Sequence, residues 1–184
     1  SRGMHVIPGY WNNPEATAAI MDKDGWLNTG DTVAISDSGH ITITGRLKEI
    51  IVLSTGEKIP PADMEAAILR DPLFEQAMLI GEARSYLSVM VILNTAHWQN
   101  VVSQYGLDAS LDTDQQRQQV EEILLDKITE QTSEFPGYAK IRRVALIQEP
   151  WNVENGLLTP TLKLKRAKVL EKYVREVERL YAGH

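Results

Sequence analysis

Apolar positions along the chain follow two spacings: alternation with polar residues, which is typical of strands, and repeats every three to four residues, which are typical of helices. Seven apolar or β-branched segments predict strands, at residues 32–35, 40–44, 49–53, 58–59, 76–80, 86–93 and 144–147. The turn sequence Asp37-Ser38-Gly39 separates the first strand from the second. Residues 54–57 form a similar turn sequence between the third strand and the fourth. Each of these pairs is therefore expected to form a hairpin.

Helices are predicted where capping signals precede the helical repeat. Asn13-Pro14-Glu15 opens a first helix that continues to about Met21, because Asn can cap free amides and Pro suits the first turn. Four more helices are expected: from Pro60-Pro61 to Asp71-Pro72, from a Thr95 cap to Gly106, around residues 120–128 with a stop near Pro136, and around residues 170–181. Strands mixed with helices predict an α+β fold, with a domain boundary near Arg46 to Lys48.

The composition is that of a soluble globular protein, with 43% apolar and 24% charged residues. The longest apolar run, residues 87–93, is too short to cross a bilayer, and the first residues lack the order of a secretory signal, so a cytoplasmic location is expected. The absence of cysteine excludes disulfides, thiolate catalysis and cysteine-ligated zinc. A net charge of −6 argues against nucleic acid as a partner.

Common catalytic motifs are absent from the sequence. No metal site is expected, because no two of the histidines have the spacing of metal ligands; they are His5, His40, His97 and His184. Neither a Gly-x-Ser-x-Gly elbow nor a Gly-rich phosphate loop occurs. The basic run from Lys163 to Lys168 is interpreted, from its position alone, as the solvated start of a helix.

Four segments stand out instead. They are residues 9–17, Gly-Tyr-Trp-Asn-Asn-Pro-Glu-Ala-Thr; residues 24–31, Asp-Gly-Trp-Leu-Asn-Thr-Gly-Asp; residues 45–65, which begin Gly-Arg-Leu-Lys-Glu-Ile-Ile-Val and end Pro-Pro-Ala-Asp-Met-Glu; and residues 158–166, Leu-Thr-Pro-Thr-Leu-Lys-Leu-Lys-Arg. Each segment alone is a weak signal, whereas the ordered set is specific.

In order and spacing, the four segments resemble the later motifs of the adenylate-forming superfamily, and most of all those of long-chain fatty acyl-CoA synthetases. The resemblance touches nearly the whole chain. It implies that residues 1–45 are the β-rich end of a large AMP-binding domain, with a helix and a β-hairpin, that residues 46–48 are a hinge, and that residues 49–184 are a small mobile lid domain. The lid is expected to contain a short mixed β-sheet flanked by helices, plus a β-hairpin.

The resemblance also implies roles for single residues. Asp31 would accept hydrogen bonds from the two ribose hydroxyls of ATP or AMP, and Arg46 would reach ribose or phosphate oxygens. Without the motifs, Asp31 would be interpreted as a turn cap and Arg46 as half of a surface ion pair. Lys48 would be the hinge, and Gly56 would line the channel for the pantetheine of CoA, because a residue without a side chain permits close approach. From the residues alone these two are a linker residue and a turn glycine.

Lys163 matches the adenylation lysine of the superfamily, which reaches between the substrate carboxylate and the α-phosphate. A compact ammonium there would offset the negative charge that accumulates as the carboxylate attacks phosphorus. Many relatives have Gly directly before this lysine, whereas this chain has Leu162, and Lys165 follows two residues later. The spacing from Pro160 favours Lys163 over Lys165 as the catalytic lysine.

The implied reaction has two steps: a fatty acid and ATP give acyl-adenylate and pyrophosphate, with Mg²⁺ assisting, and the thiol of CoA then gives acyl-CoA and AMP. The acyl pocket, phosphate loop and magnesium ligands would lie in the enzyme's own N-terminal domain, so this chain alone is expected to be inactive. Peripheral membrane contact stays open. So do two alternatives: another branch, which uses a carrier protein or an amine as acceptor or activates an amino or aryl acid, and a non-catalytic nucleotide-binding module.

Overall fold

The computed structural model describes residues 1–107 and 114–182, and the chain forms two compact units, Ser1–Ile50 and Ile51–His184. His184, one of the four histidines, lies outside the described residues. The helices and strands are α1 (Pro14–Ile20), β1 (Asp31–Ile35), β2 (Ile41–Arg46), β3 (Ile51–Val52), β4 (Lys58–Ile59), α2 (Pro61–Ile68), β5 (Phe74–Ile80), β6 (Leu87–Leu93), α3 (Thr95–Tyr105), α4 (Asp114–Gln131), β7 (Ile141–Leu146), α5 (Arg166–Lys172) and α6 (Val174–Tyr181), with 3₁₀ helices at Leu47–Glu49 and Gly137–Ala139. None of the helices in the described ranges is long and apolar enough to span a bilayer.

The first unit contains α1 and the hairpin of β1 and β2, as predicted. The Asn13 side chain accepts a hydrogen bond from the Ala16 N–H at 3.0 Å, and Pro14 occupies the first turn of α1. In the hairpin, alternation places four β-branched side chains on one face. They form two opposed pairs and are 47% to 68% exposed: Val33 with Ile43, and Ile35 with Ile41.

The second unit is built on a three-stranded mixed sheet with the strand order β5-β6-β7. β5 and β6 are antiparallel and β6 and β7 are parallel, so the chain crosses over between them through α3 and α4. β6 is the central strand, and Leu87 to Ile92 are buried. The strand that was predicted from this continuous apolar run is confirmed. The predicted α+β class, with a small mixed sheet flanked by helices, is confirmed as well.

Alternate residues of β6 point into two separate cores. Val89 and Val91 pack with apolar residues of α2 and α4 on one face, among them Met64 and Leu124. Met90 and Ile92 pack on the other face with the segment after β7 and with α5 and α6. The sheet is therefore covered by helices on both faces, which explains why its central strand carries no polar alternation.

Three strand predictions are wrong at their starts, and one of them is β5, which begins at Phe74 rather than Gln76. The strand expected from Glu49 begins at Ile51, because Leu47–Glu49 forms a 3₁₀ turn and only Ile51 and Val52 have partners in β4. β7 begins at Ile141 rather than Val144. It is an edge strand, where polar side chains such as those of Arg142 and Arg143 are tolerated, and these two hid the pattern.

Two helix predictions are corrected by the structure. The cap of α3 is Asn94 rather than Thr95, since the Asn94 side chain accepts from two N–H groups of the first turn. The last helix is broken at Tyr173 into α5 and α6. Arg166 and Tyr181 bond to the neighbouring carbonyl groups of Leu79 and Ile80. A straight helix between them would be about 22 Å long, more than two side chains can bridge.

Candidate functional site

Asp31 and Arg46 lie side by side at the open end of the first hairpin, where they are register partners. Arg46 Nε is 3.5 Å from Asp31 Oδ1, and the Arg46 side chain is 59% exposed. The turn before Asp31 is fixed, because Thr29 Oγ1 accepts from the Asp31 N–H at 3.3 Å. An acceptor carboxylate beside a donor fork with free solvent-facing hydrogens is suited to a ligand with hydroxyl and phosphate groups.

Lys48 lies in the 3₁₀ turn that follows β2 and its side chain is exposed. The boundary between the two compact units falls after Ile50, two residues further on.

Gly56 lies at the tip of the turn between β3 and β4, with a positive φ of 95°. This left-handed conformation favours glycine, whereas packing does not, since a Cβ atom added there would meet nothing within 4 Å. The space above Gly56 is therefore open. A hydrogen bond from the Thr55 side chain lowers the pKa of Glu57, so an ionised carboxylate adjoins this open turn.

Lys163 lies on a short, closed loop whose stem is the β-bridge between Leu158 and Leu164. The Thr159 N–H donates to the Lys163 carbonyl at 2.8 Å, and the Lys163 N–H donates to Thr159 Oγ1 at 3.0 Å. Leu162 has a positive φ of 60°. The Lys163 side chain is exposed, and no carboxylate of the described residues pairs with it. The loop therefore presents, on a hydrogen-bonded backbone, an ammonium that has no ion-pair partner in the described part of the chain.

The segment that leads into this loop is fixed to the sheet by Gln76 of β5. The Gln76 side-chain amide donates to the Trp151 carbonyl at 2.9 Å and accepts from the Trp151 N–H at 2.8 Å. Trp151 itself is 2% exposed and belongs to the second core. Nothing in the sequence indicated this contact, because it joins residues 75 positions apart.

The interpretation of the basic run as a solvated helix start is wrong for Arg166. Its guanidinium donates to Glu65 Oε1 at 2.6 Å and to the Leu79 carbonyl, and the side chain is 21% exposed. Glu65 ends the third motif segment and Arg166 ends the fourth, which was the available signal that both residues matter. The structure thus joins two motifs that the sequence could only place in order.

The predicted residues fall in two places. Asp31, Arg46 and Lys48 belong to the first unit, whereas Gly56 and Lys163 belong to the second and lie on separate loops. Among the described residues, no group of three or more His, Cys, Asp or Glu side chains is arranged to hold a metal ion.

Comparisons with known proteins identify a family and several relatives. The model of the family described as "AMP-binding enzyme C-terminal domain" matches residues 48–184. The long-chain-fatty-acid–CoA ligase FadD15 of Mycobacterium tuberculosis is 31% identical over 98% of this chain and 30% of its own length. A chloroplastic ligase of Arabidopsis thaliana, AEE15, whose name gives long-chain fatty acids and acyl-carrier protein, is 32% identical over 98% of this chain and 25% of its own length.

Solved structures show the same relationship. The adenylation domain of the carboxylic acid reductase of Segniliparus rugosus, in complex with AMP and a carboxylic acid, is 30% identical and superposes with a TM-score of 0.79. The match covers 96% of this chain and 26% of that one. This chain thus spans between a quarter and a third of the length of the relatives that it matches.

Proposed function

The chain belongs to the family of AMP-binding enzyme C-terminal domains, and from that premise we propose that it is the lid-bearing portion of an ATP-dependent fatty acyl-CoA synthetase. The complete enzyme converts a fatty acid and ATP to acyl-adenylate and pyrophosphate, and then transfers the acyl group to CoA with release of AMP. The long-chain-fatty-acid–CoA ligase among the relatives supports the substrate class.

The observation that carries the proposal is the Lys163 loop. Backbone hydrogen bonds hold the loop, and its exposed ammonium, which no carboxylate of the described residues pairs with, can meet an anionic ligand. In the adenylation step it lies between the carboxylate and the α-phosphate, where it aligns two groups that repel each other and offsets the charge of the transition state. The ammonium transfers no proton in this role.

Leu162 supports the choice of Lys163 over Lys165. Its positive φ is a conformation that glycine adopts freely and that costs other residues roughly 1–2 kcal/mol. Many members of the adenylate-forming superfamily have glycine directly before the adenylation lysine, and glycine fits this backbone conformation. If Leu162 takes the place of that glycine, Lys163 takes the place of the lysine. Lys165 instead lies in the stem, where its N–H donates to the Leu157 carbonyl at 2.9 Å.

Nucleotide binding in the first unit is assigned to Asp31 and Arg46. Their adjacency leaves Asp31 to accept from the ribose hydroxyls while Arg46 donates to ribose or phosphate oxygens. Lys48 is the hinge of the lid, and Gly56 lines the pantetheine channel, with its open space in favour of close approach. Rotation about the hinge presents the Lys163 loop in the first step and the Gly56 turn in the second.

The remaining parts of the site are assigned to the enzyme's upstream N-terminal domain. Its Mg²⁺ ligands are placed upstream with the phosphate loop and the acyl pocket, and the described residues of this chain contain no group of three or more His, Cys, Asp or Glu side chains arranged for a metal ion. The exposed apolar face of the first hairpin supports such a partner, since four neighbouring β-branched side chains in water are unfavourable. This chain alone is accordingly expected to form no acyl-adenylate.

The test is the replacement of Lys163 by alanine in the intact enzyme, with Lys165→Ala as the matched control. Removal of one charge-stabilising group is expected to lower the rate of acyl-adenylate formation by roughly 100- to 1000-fold, measured as pyrophosphate release. Lys165→Ala is expected to lose far less. Unchanged adenylation in the Lys163 variant would disprove the assignment.

A second acceptor is tested in the acyl-transfer step, because one relative is named for acyl-carrier protein. Acyl transfer from the adenylate is measured with CoA and with acyl-carrier protein in parallel. Faster transfer to the carrier protein would show that the carrier protein, rather than CoA, is the acceptor. The proposed role of Lys163 would not change.

A further inference from the structure

Glu65 and Arg166 form an ion pair that ties α2 to the start of α5 across 101 residues of sequence. The Arg166 Nη1 atom is 2.6 Å from Glu65 Oε1, and the side chains are 21% and 16% exposed. Two partly buried charges at this distance interact strongly, and removal of one takes the opposite charge away from the other.

The same two side chains occupy the free edge of the sheet. Among the described residues, β5 has a neighbouring strand on one side only, so the outward backbone groups of Leu79 need partners elsewhere. Glu65 Oε1 accepts from the Leu79 N–H at 2.6 Å, and Arg166 donates to the Leu79 carbonyl. The ion pair thus takes the place of a strand at this point, and Arg166 is fixed in two directions.

Arg166 directly follows the stem of the Lys163 loop. Leu158 and Leu164 form the bridge of the stem, and the Lys165 N–H donates to the carbonyl of Leu157, which is 3% exposed. Lys163 is three residues before Arg166, so the contacts of the guanidinium lie next to the backbone that carries the lysine. The loop holds its own shape through Thr159, and Arg166 attaches it to the sheet on this side.

We propose that Arg166 and Glu65 are positioning residues for the Lys163 ammonium in the adenylation step. This inference rests on the proposed function of Lys163 and adds how its place is set. Arg166 acts through the stem of the loop, and Glu65 acts by holding Arg166 against Leu79. Neither needs to touch the substrate.

The experiment uses Arg166→Gln, Arg166→Lys and Glu65→Gln in the intact enzyme and measures the two half-reactions separately. Adenylation is followed as pyrophosphate release, and thioester formation is followed from synthetic acyl-adenylate and CoA. A misplacement of about 1 Å costs roughly 100-fold, so Arg166→Gln is expected to lower kcat for adenylation by about 10- to 100-fold. The KM for ATP and the thioester step are expected to change by less than about threefold.

Arg166→Lys is expected to fall between the parent and Arg166→Gln, because an ammonium keeps the charge but cannot reach Glu65 and Leu79 as a fork. The matched control is Arg143→Gln, which removes an ion pair of the same length, 2.6 Å to Glu121, at a place away from the loop. Both half-reactions of this control are expected to stay near those of the parent. If Arg166→Gln does not fold, Arg166→Lys and Glu65→Gln carry the same comparison.

A double-variant cycle separates positioning from a purely structural role. If Arg166 acts through Lys163, Arg166→Gln lowers adenylation no further when Lys163 is already alanine. Equal losses in both backgrounds, or equal losses in both half-reactions, would overturn the inference. A loss with Lys163→Ala but none with the Arg166 and Glu65 variants would also overturn it and leave the proposed function intact, whereas no loss with Lys163→Ala would defeat the proposed function itself.

Discussion

Replacement of Gln76 by alanine tests whether the segment before the Lys163 loop depends on a single side chain. Gln76 is the partner of both backbone groups of Trp151, at 2.9 Å and 2.8 Å. Because Trp151 is 2% exposed, its N–H and carbonyl have little access to water once the amide is removed. The variant therefore removes two hydrogen bonds and leaves two backbone groups without partners.

The expected loss follows from these two contacts. Each hydrogen bond contributes about 1 kcal/mol net, and each buried group left unpaired costs roughly 1–3 kcal/mol. With two groups left unpaired, Gln76→Ala is thus expected to lower the free energy of unfolding by roughly 2–6 kcal/mol. A domain is stable by roughly 5–15 kcal/mol, so a loss in the lower part of this range leaves the variant folded.

The assay is urea denaturation of the 184-residue chain, followed by tryptophan fluorescence and by circular dichroism. The control is Gln99→Ala, because Gln99 is exposed on α3 and its side chain makes no hydrogen bond among the described residues. This control is expected to change stability by less than about 0.5 kcal/mol. If Gln76→Ala behaved like the control, the two bonds would contribute nothing, and the account of how this segment is held would be refuted.

Two further substitutions test the packing around the sheet. A Cβ atom on Gly81 would lie 2.6 Å from Leu87 Cδ2. Gly81→Ala is therefore expected to lower the free energy of unfolding by about 1–3 kcal/mol, measured by urea denaturation. Its control is Gly137→Ala, which should leave the free energy of unfolding unchanged, because Gly137 has open space around it and no positive φ. Burial raises the pKa of Tyr181, whose hydroxyl donates to the Ile80 carbonyl at 3.0 Å. The unfolded state then loses the hydroxyl proton at lower pH than the folded state, so the free energy of unfolding should fall above pH 10. Tyr181→Phe should lessen that fall and should lower the free energy of unfolding by about 1 kcal/mol at neutral pH. A pH profile that the substitution leaves unchanged would contradict this account.

The sequence by itself determined the features that depend on neighbouring residues. Asn13 and Pro14 predicted the start of α1, the apolar run from residue 87 predicted the central strand, and Gly106 predicted the end of α3, where it adopts a positive φ of 61°. Capping, turn formation and side-chain periodicity act within a few residues, so a pattern in the chain is enough to recognise them. The order of the motif segments likewise predicted the family that the comparisons confirm.

Only the tertiary structure decided which distant residues meet. The sequence could not show that Glu65 holds Arg166, that Gln76 holds Trp151, or that the last helix is broken at Tyr173. The two contacts join positions 101 and 75 residues apart in sequence. The strand order β5-β6-β7 leaves an edge of β5 open, and Glu65 and Arg166 bond to Leu79 there. The residues next to a polar side chain in sequence do not show whether that side chain faces solvent or the edge of a sheet. Its bonding partner at the edge is in place only once the sheet has formed.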